Sequence, residues 1–445
     1  MSREESKRTH ALVIGGGIAG LLAARVLLRH FERVTVIERD RYPEEPVFRA
    51  GVPQGRHAHI MLLRGQQALE TLFPGLKATL LAQGAVERVY GAEGEGTSLY
   101  SYGGRCPQIP PVLRGWNCSR PFLEWHIRQE LAKEERLQLV EGHEVVHFLA
   151  SDAEHAIVGV QFRARTASFS KDIQELRADL VVDASGASSR VATWLQELGN
   201  AVPRACTIDV WVNYATCMYH PAEQSPWKEI ALQTTQPGRP AGALMEIEKG
   251  RWLVSLTGVG KGRPFPKTQE DFLAFLQTLK EPALFEAVRR ATPISPVYRY
   301  RKVGNYRRAF SQQPEGLIVL GDALCSLNPL YGQGMTMAAL EALLLDACLQ
   351  RHAGRRGFAA LFQKKAAALL AFPWRLAATA DAASRFTPSG DQARGFHYLE
   401  DLMALLPHDQ QALLTFLEVI HMVRTPLALV HPPLVMKVLA HRWRT

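Results

Sequence analysis

The apolar positions of the chain open with a run of four, residues 11–14, that stops at the glycines Gly15, Gly16 and Gly17. Alanines and leucines then recur at helical spacing over residues 21–29, and residues 34–37 form a second β-branched run that ends in Glu38. Short apolar runs bounded by turn residues read as buried strands, and the 3.6-residue spacing between them reads as a helix. Strand, tight turn, helix and strand within about 30 residues predict a βαβ unit.

Further along, residues 66–84 show an amphipathic helical pattern interrupted by Pro74, residues 85–118 are glycine-rich and irregular, and Pro121 opens a helix that runs to Leu131. A proline suits a first helical turn because its missing N–H would have no partner there. Apolar runs at 137–140, 156–162 and 180–182 predict strands that return to one sheet. From 201 to 303 the pattern changes to short β-like runs, including 207–214 and 251–258, with one helix near 270–280. That change marks a second domain facing the substrate. Residues 317–320 read as one more buried strand, 335–351 begin a long apolar helix, and 356–445 are helical, with prolines at 373, 388, 407, 426, 432 and 433. The expected fold class is α/β: a Rossmann-like domain carrying an inserted β-rich domain and a C-terminal helical region. Its segments would be 1–85, 115–200 and 304–375 for the first domain, 86–114 and 201–303 for the second, and 376–445 for the last.

Composition narrows the function. A length of 445 residues with 47% hydrophobic and 21% charged residues fits a globular enzyme with a large core. The net charge of +9 comes from scattered lysines and arginines, without the basic runs and interleaved aromatics of a nucleic-acid surface, so no nucleic-acid partner is expected. The field suits anionic phosphates or an acidic membrane surface instead. Six cysteines, Cys106, Cys118, Cys206, Cys217, Cys325 and Cys348, form no CxxC pair, which argues against a zinc site and for reduced thiols. The opening segment lacks the pattern of a signal peptide, and no apolar stretch reaches the roughly 18 residues of a spanning helix. A cytoplasmic location is expected, with peripheral membrane contact compatible and a crossing excluded. Nothing in the sequence addresses oligomeric state.

The chemistry concentrates at glycine turns. Gly15, Gly17 and Gly20 supply a GxGxxG fingerprint that allows a tight turn, close backbone approach to a pyrophosphate and close helix packing. The phosphate then meets the positive end of the next helix, and Glu38 stands where a ribose hydroxyl needs an acceptor. NAD and FAD share this fingerprint. Residues 180–190, LVVDASGASSR, put Asp183 and Gly186 at a strand end, and residues 317–335 put Asp322 after a strand and the glycines Gly332 and Gly334 before a helix. Asp322 would accept from a ribityl hydroxyl, and amides at the helix start would stabilise negative charge on a reduced isoalloxazine.

These three segments, with Ser119 and Arg120 opening a helix, resemble the FAD-dependent monooxygenase superfamily of the aromatic-hydroxylase type, which also holds squalene epoxidases, halogenases and geranylgeranyl reductases. The resemblance covers most of residues 8–375 and implies a GR2-type FAD-binding domain. It implies that Gly15, Gly17, Ile18, Ala19, Gly20, Glu38 and Arg39 hold the ADP moiety. Arg120 would lie beside the diphosphate or ribityl chain, Asp183 and Gly186 in a segment near both FAD and NAD(P)H, and Gly321, Asp322, Pro329, Gly332, Gly334 and Met335 along the ribityl chain and ring. Cys325 stands where many members have histidine. A single dinucleotide fingerprint implies that NAD(P)H is a transient reductant or that an external flavin reductant serves.

Residues 51–59, GVPQGRHAH, resemble a loop of bacterial natural-product epoxidases and hydroxylases, with three readings open: FAD contact through Arg56, covalent attachment at His57, or histidines bonded to backbone carbonyls. Glu246 and Glu248 stand two apart on an expected strand, either as an acid/base pair or on a solvated face. Arg299, Arg301, Arg307 and Arg308 alternate with Tyr298, Tyr300 and Tyr306, either guiding an anionic cofactor or facing solvent. Residues 425–445, apolar with a basic end, form an interfacial anchor or a cover over the substrate cavity. The resemblance implies a monooxygenase using molecular oxygen, through a flavin C4a-hydroperoxide, to epoxidise or hydroxylate a small apolar organic substrate of terpenoid or polyketide type. A double-bond reductase of the geranylgeranyl reductase type, or a flavin-dependent halogenase, is the alternative. A halogenase lacks its WxWxIP segment and its early lysine here. No catalytic side chain is identified.

Overall fold

Four short strands with both faces buried and a partly exposed edge strand make a parallel sheet in the order Leu317–Val319, Leu180–Asp183, His10–Ile14, Arg33–Glu38 and, at the edge, Leu137–Glu141. Such strands are near-continuously apolar because helices cover both sides of a parallel sheet. The helix Ile18–Leu27 lies against one face with the long helix Gly334–His352 packed on it, and leucines 12, 21, 22 and 27 are among the largest fully buried side chains. Ile14 pairs with both Ile37 and Asp183, and Asp183 pairs with Val319, so four carboxyl ends finish at one level. The loops after them must therefore emerge together, at the edge where open α/β sheets bind ligands. These relations come from a computed structural model, which describes residues 8–91, 97–102, 104–151, 156–165, 172–223, 225–227, 229–232, 240–260, 265–352, 355–383 and 390–443. Part of the glycine-rich stretch (92–96), Pro388 and the last two residues of the basic tail lie outside them.

The expectation that residues 156–162 return to this sheet is corrected. Ala156–Ala164 instead forms a three-stranded antiparallel sheet with His143–Ser151 and Gln174–Arg177. Antiparallel neighbours need only short hairpins, whereas a parallel return needs a crossover of about a dozen residues or more, and only residues 152–155 lie between His143–Ser151 and Ala156–Ala164.

A nine-stranded mixed sheet follows, built around the long strand Arg204–His220, which pairs with Arg251–Val259 and Tyr298–Ala309. One apolar cluster joins this sheet to the helices Gln269–Gln277 and Ala283–Val288 through Tyr219, Trp252, Phe272 and Leu284. In a separate cluster, Met245, Ile247 and Leu253 pack with Met218, Ala58 and Ile60. Residues Tyr306 and Arg307 pair with Ser326 and Cys325, which couples the large sheet to the loop after the strand Leu317–Val319.

The helices Gly390–Leu405, Gln410–Ile420 and Pro432–Arg442 share a core of Leu402, Leu406, Leu413, Leu417, Leu434 and Val438 that also takes in Leu63 and Tyr90. His421 fastens this region to the helix Leu63–Leu72. Its Nδ1 accepts from the Leu63 N–H at 3.3 Å, its carbonyl accepts from Arg64 N–H at 3.2 Å, and its ring lies 4.4 Å from that of Tyr90. Burial pushes the imidazole down to about 4. An unfolded histidine titrates near 6.5, so the unfolded chain takes up this proton first, and the stabilising effect is complete above that value and is lost as pH falls towards 4. Thermal unfolding is expected to move to lower temperature across that window. His421→Phe removes the acceptor, leaves the Leu63 N–H unpaired at a cost of about 1–3 kcal/mol, and flattens part of the pH slope. An unchanged melting temperature and slope would contradict this role.

Candidate functional site

At the end of the first strand the chain turns through Gly15, whose φ of 92° and approach to Ala184 leave no room for a side chain: a Cβ would lie 2.7 Å from the Ala184 oxygen. A Cβ on Gly20 would sit 1.8 Å from the Gly15 oxygen, so the helix can pack only on glycine here. The Glu38 carboxylate locks the turn, accepting from Gly16 N–H at 2.7 Å and Asp40 N–H at 2.9 Å. Arg49, buried beneath, reaches Asp40 and Glu124 at 2.8 Å and Glu38 at 3.2 Å. Two N–H donors and one guanidinium leave lone pairs on the Glu38 carboxylate for another hydroxyl.

One cavity of about 600 Å³ runs from this turn along the strand ends. It brings together Gly15, Gly17, Ile18, Ala19, Glu38, Arg39, Arg120, Gly186, Gly321, Asp322, Pro329, Gly332, Gly334 and Met335 in its wall. That volume is in the range of roughly 300–1,000 Å³ usual for ligand and cofactor sites. Gly20, Arg56 and Asp183 stand outside the wall. Gly20 serves packing, the Arg56 guanidinium lies 5.0 Å over the Tyr298 ring, and fully buried Asp183 organises its own loop by accepting from Ser185 and Ser189 hydroxyls at 2.6 Å. A Cβ on Gly17 would lie 3.8 Å from an Arg120 guanidinium nitrogen and 3.9 Å from one of Arg49, and the Arg120 Nε is buried without a partner. Two guanidiniums at the second glycine of the fingerprint, one with an unused donor, fit the diphosphate of a dinucleotide.

The other end of the cavity is a buried polar chain. Asp322 faces the wall, Ser326 Oγ approaches it at 3.3 Å, and buried Lys302 donates to Ser326 at 2.5 Å. Burial raises the Asp322 carboxyl while Lys302 and Arg120 oppose that, and burial lowers the Lys302 ammonium. Beyond them Asp381 accepts from Asn305, Asn328 and Tyr331, and Tyr214 donates to Asn328 at 2.6 Å. Gly321, at φ 61°, donates its N–H at 2.7 Å to Glu341, a carboxyl that burial pushes up to about 8. Gly332 takes φ 63°, and a Cβ there would lie 3.7 Å from the Ile60 oxygen, just before the helix Gly334–His352 begins. That helix start offers unpaired amides and the positive end of a dipole.

The histidines of the 51–59 loop point to different tasks. His57 Nδ1 bonds Thr216 Oγ1 at 2.7 Å, and Thr216 Oγ1 bonds Ser255 Oγ at 2.6 Å, outside the cavity wall. His59 lines the cavity with Nδ1 bonded to the His57 carbonyl at 2.9 Å, and burial holds it neutral, with its value lowered to about 3. Cys325 is buried and its thiol is pushed upward by that burial, so it is not a poised thiolate.

Glu246 and Glu248 are neither an acid/base pair nor a solvated face. The strand ends at Ile247, so the two side chains diverge. Glu248 accepts from Ser119 N–H and Oγ at 2.8 Å and from Arg251 at 2.7 Å, while Glu246 approaches Arg88 at 3.8 Å. The arginines also divide: Arg299 and Arg301 are exposed, whereas Arg308 donates to the Ala323 and Ser189 carbonyls and Arg307 lies 5.5 Å over Trp374. Asn328 and Glu341 escaped sequence reading because single polar residues in apolar runs carry no motif, and Lys302 because it stands among the arginines of residues 298–308 with nothing local to set it apart; the Asn328-Pro329 turn was the one local hint.

Fold and site together define a flavoenzyme of the dinucleotide-binding α/β class. Residues 8–195 match the FAD binding domain family. Protein Rv3254 of Mycobacterium tuberculosis is 32% identical over 391 residues, spanning 85% of this chain and 81% of that protein. Kynurenine 3-monooxygenase of Salinispora tropica is 26% identical over 385 residues, spanning 78% and 74%. A solved flavin-dependent brominase, Bmp2 in a triple-mutant form, covers 98% of this chain and 99% of its own at a TM-score of 0.67 and 15% identity, a likeness of fold. The chain belongs to the FAD-dependent monooxygenase superfamily and is an FAD-dependent oxidoreductase. Among the described residues no helix is long and apolar enough to cross a membrane, and no cluster of ligands suits a metal.

Asp322→Ala is expected to weaken FAD binding by about tenfold or more, because a buried hydroxyl left without its acceptor costs roughly 1–3 kcal/mol. Fluorescence titration of the apoprotein checks this. An unchanged dissociation constant in a folded variant would move Asp322 out of the site.

Proposed function

We propose that the protein is a monooxygenase that inserts one atom of molecular oxygen into a small apolar substrate of terpenoid or polyketide type, by epoxidation or hydroxylation, with NAD(P)H as transient reductant. The overall balance is substrate, oxygen, NAD(P)H and a proton giving oxygenated product, NAD(P)+ and water. The observation that supports the substrate class is the apolar part of the cavity wall, Ala58, Ile60, Leu327, Met335 and Ala338, with Gly332 and Gly334 among them. Met245, Ile247 and Leu253, buried behind Ala58 and Ile60, keep that face apolar. An apolar substrate would reach the reactive end of the cofactor along that face, where water is excluded.

FAD, when bound and reduced, supplies the activation of oxygen. The chain's own residues would divide the remaining work. Glu38, Arg49 and Arg120 bind the nucleotide end, Asp322 orients the ribityl chain, and the Gly334 and Met335 amides with Lys302 hold negative charge at the ring end. Neutral His59 offers an acceptor to a substrate or cofactor hydroxyl. The relation to a kynurenine 3-monooxygenase supports oxygenation over the reductase reading.

Single-turnover mixing of reduced protein with labelled oxygen and candidate olefins or electron-rich rings tests this reading. Label in the product and oxygen uptake matched to NAD(P)H consumption are expected. Product formed under strict anaerobiosis would replace the reading with a double-bond reductase, and halide-dependent product with a halogenase.

A further inference from the structure

The 3-10 turn Pro426–Val430 and the helix Pro432–Arg442 do not line the cavity, contrary to the cover that residues 425–445 suggested. The helix rests on Gly390–Leu405 through Leu434 and Val438. Its outer side is apolar and open: Met436, Leu439 and Trp443 are 70%, 44% and 86% exposed, at spacings of three and four that put them on one face. Leu427 and Val430, 75% and 56% exposed, extend the patch onto the preceding turn. Twelve large apolar side chains are exposed among the described residues, and these five come from one short stretch, with Val423 just before it.

The charges around the patch are layered. Arg424, Lys437 and Arg442 have side chains 48%, 46% and 60% exposed, while their partners Glu418, Asp409 and Asp401 are only 25%, 19% and 26% exposed. The cations thus stand outboard and the carboxylates inboard, on underlying elements. No acidic residue occurs from 419 to 445. Exposed pairs of this kind hold their cations weakly, so the outboard groups remain available to an external anion.

We infer that this face docks on the interfacial zone of a phospholipid bilayer with anionic headgroups. Aliphatic side chains and an exposed tryptophan enter the acyl boundary, and the outboard Arg and Lys groups meet the headgroups. A tryptophan suits that boundary because its body is apolar and its N–H is wet. The docked face is tied to the cavity through His421, which bonds the start of the helix Leu63–Leu72, and the loop before that helix lines the cavity wall. The inference concerns a surface and stands whether or not the substrate reading does.

Flotation of the full-length, FAD-loaded protein with phosphatidylcholine vesicles, with and without phosphatidylserine, tests it. Binding to the phosphatidylserine vesicles, weakened by salt, is expected. The variant Met436→Ser/Trp443→Ser should lose about tenfold or more of that affinity while keeping FAD content and melting temperature, since both side chains already face water. Lys437→Glu/Arg442→Glu should lose the preference for phosphatidylserine. No flotation with either vesicle, or flotation unchanged in both variants, overturns the inference. Light scattering that shows these substitutions splitting a dimer, without vesicle binding, would make the face a contact between two copies and equally overturn it.

Discussion

The structure turns on the common level at which four parallel strands end. Ile14, Ile37, Asp183 and Val319 sit in register, so the glycine turn, the acidic strand end and the two later loops open on one edge. The Glu38 carboxylate holds that edge in shape through the Gly16 and Asp40 amides, and buried Arg49 balances its charge. A slip of one residue in any of these pairings would move a strand end off that level, exchange the side chains of its two faces and scatter the cavity wall.

The far end follows from a second constraint, the coupling of the large sheet to the loop after the strand Leu317–Val319. Pairing of Tyr306 and Arg307 with Ser326 and Cys325 brings Lys302 to Ser326 and Tyr306 to the Asp322 carbonyl. An isolated ammonium would not stay charged in such a buried place; beside Asp322 it has an electrostatic reason to be there. The Asp381 cluster below fixes Asn328, and thereby the approach of the chain to the Gly332 turn.

The sequence made the first unit plain because its signals are local: runs of apolar residues, glycines at fixed offsets and an acidic residue closing a strand. Proline in the first turn after Ser119 likewise marked the helix Arg120–Leu131, where the Ser119 hydroxyl caps Phe122. Pairing partners were less legible. Nothing within residues 156–162 says whether its neighbour is parallel or antiparallel, and Glu246 and Glu248 look equivalent until a 3-10 turn separates them. The roles of Lys302, Glu341 and Asp381 depend on contacts between distant segments, which alternation within a single strand or helix does not encode.

The most direct test of the central assignment is a crystal structure of the FAD-loaded protein. The account predicts the adenosine end beside Glu38, the diphosphate between Gly17 and the Arg49 and Arg120 guanidiniums, the ribityl chain at Asp322, and the ring against the turn at Gly332 to Met335. A flavin lying elsewhere, or reversed along the cavity with its ring at Glu38, would contradict it.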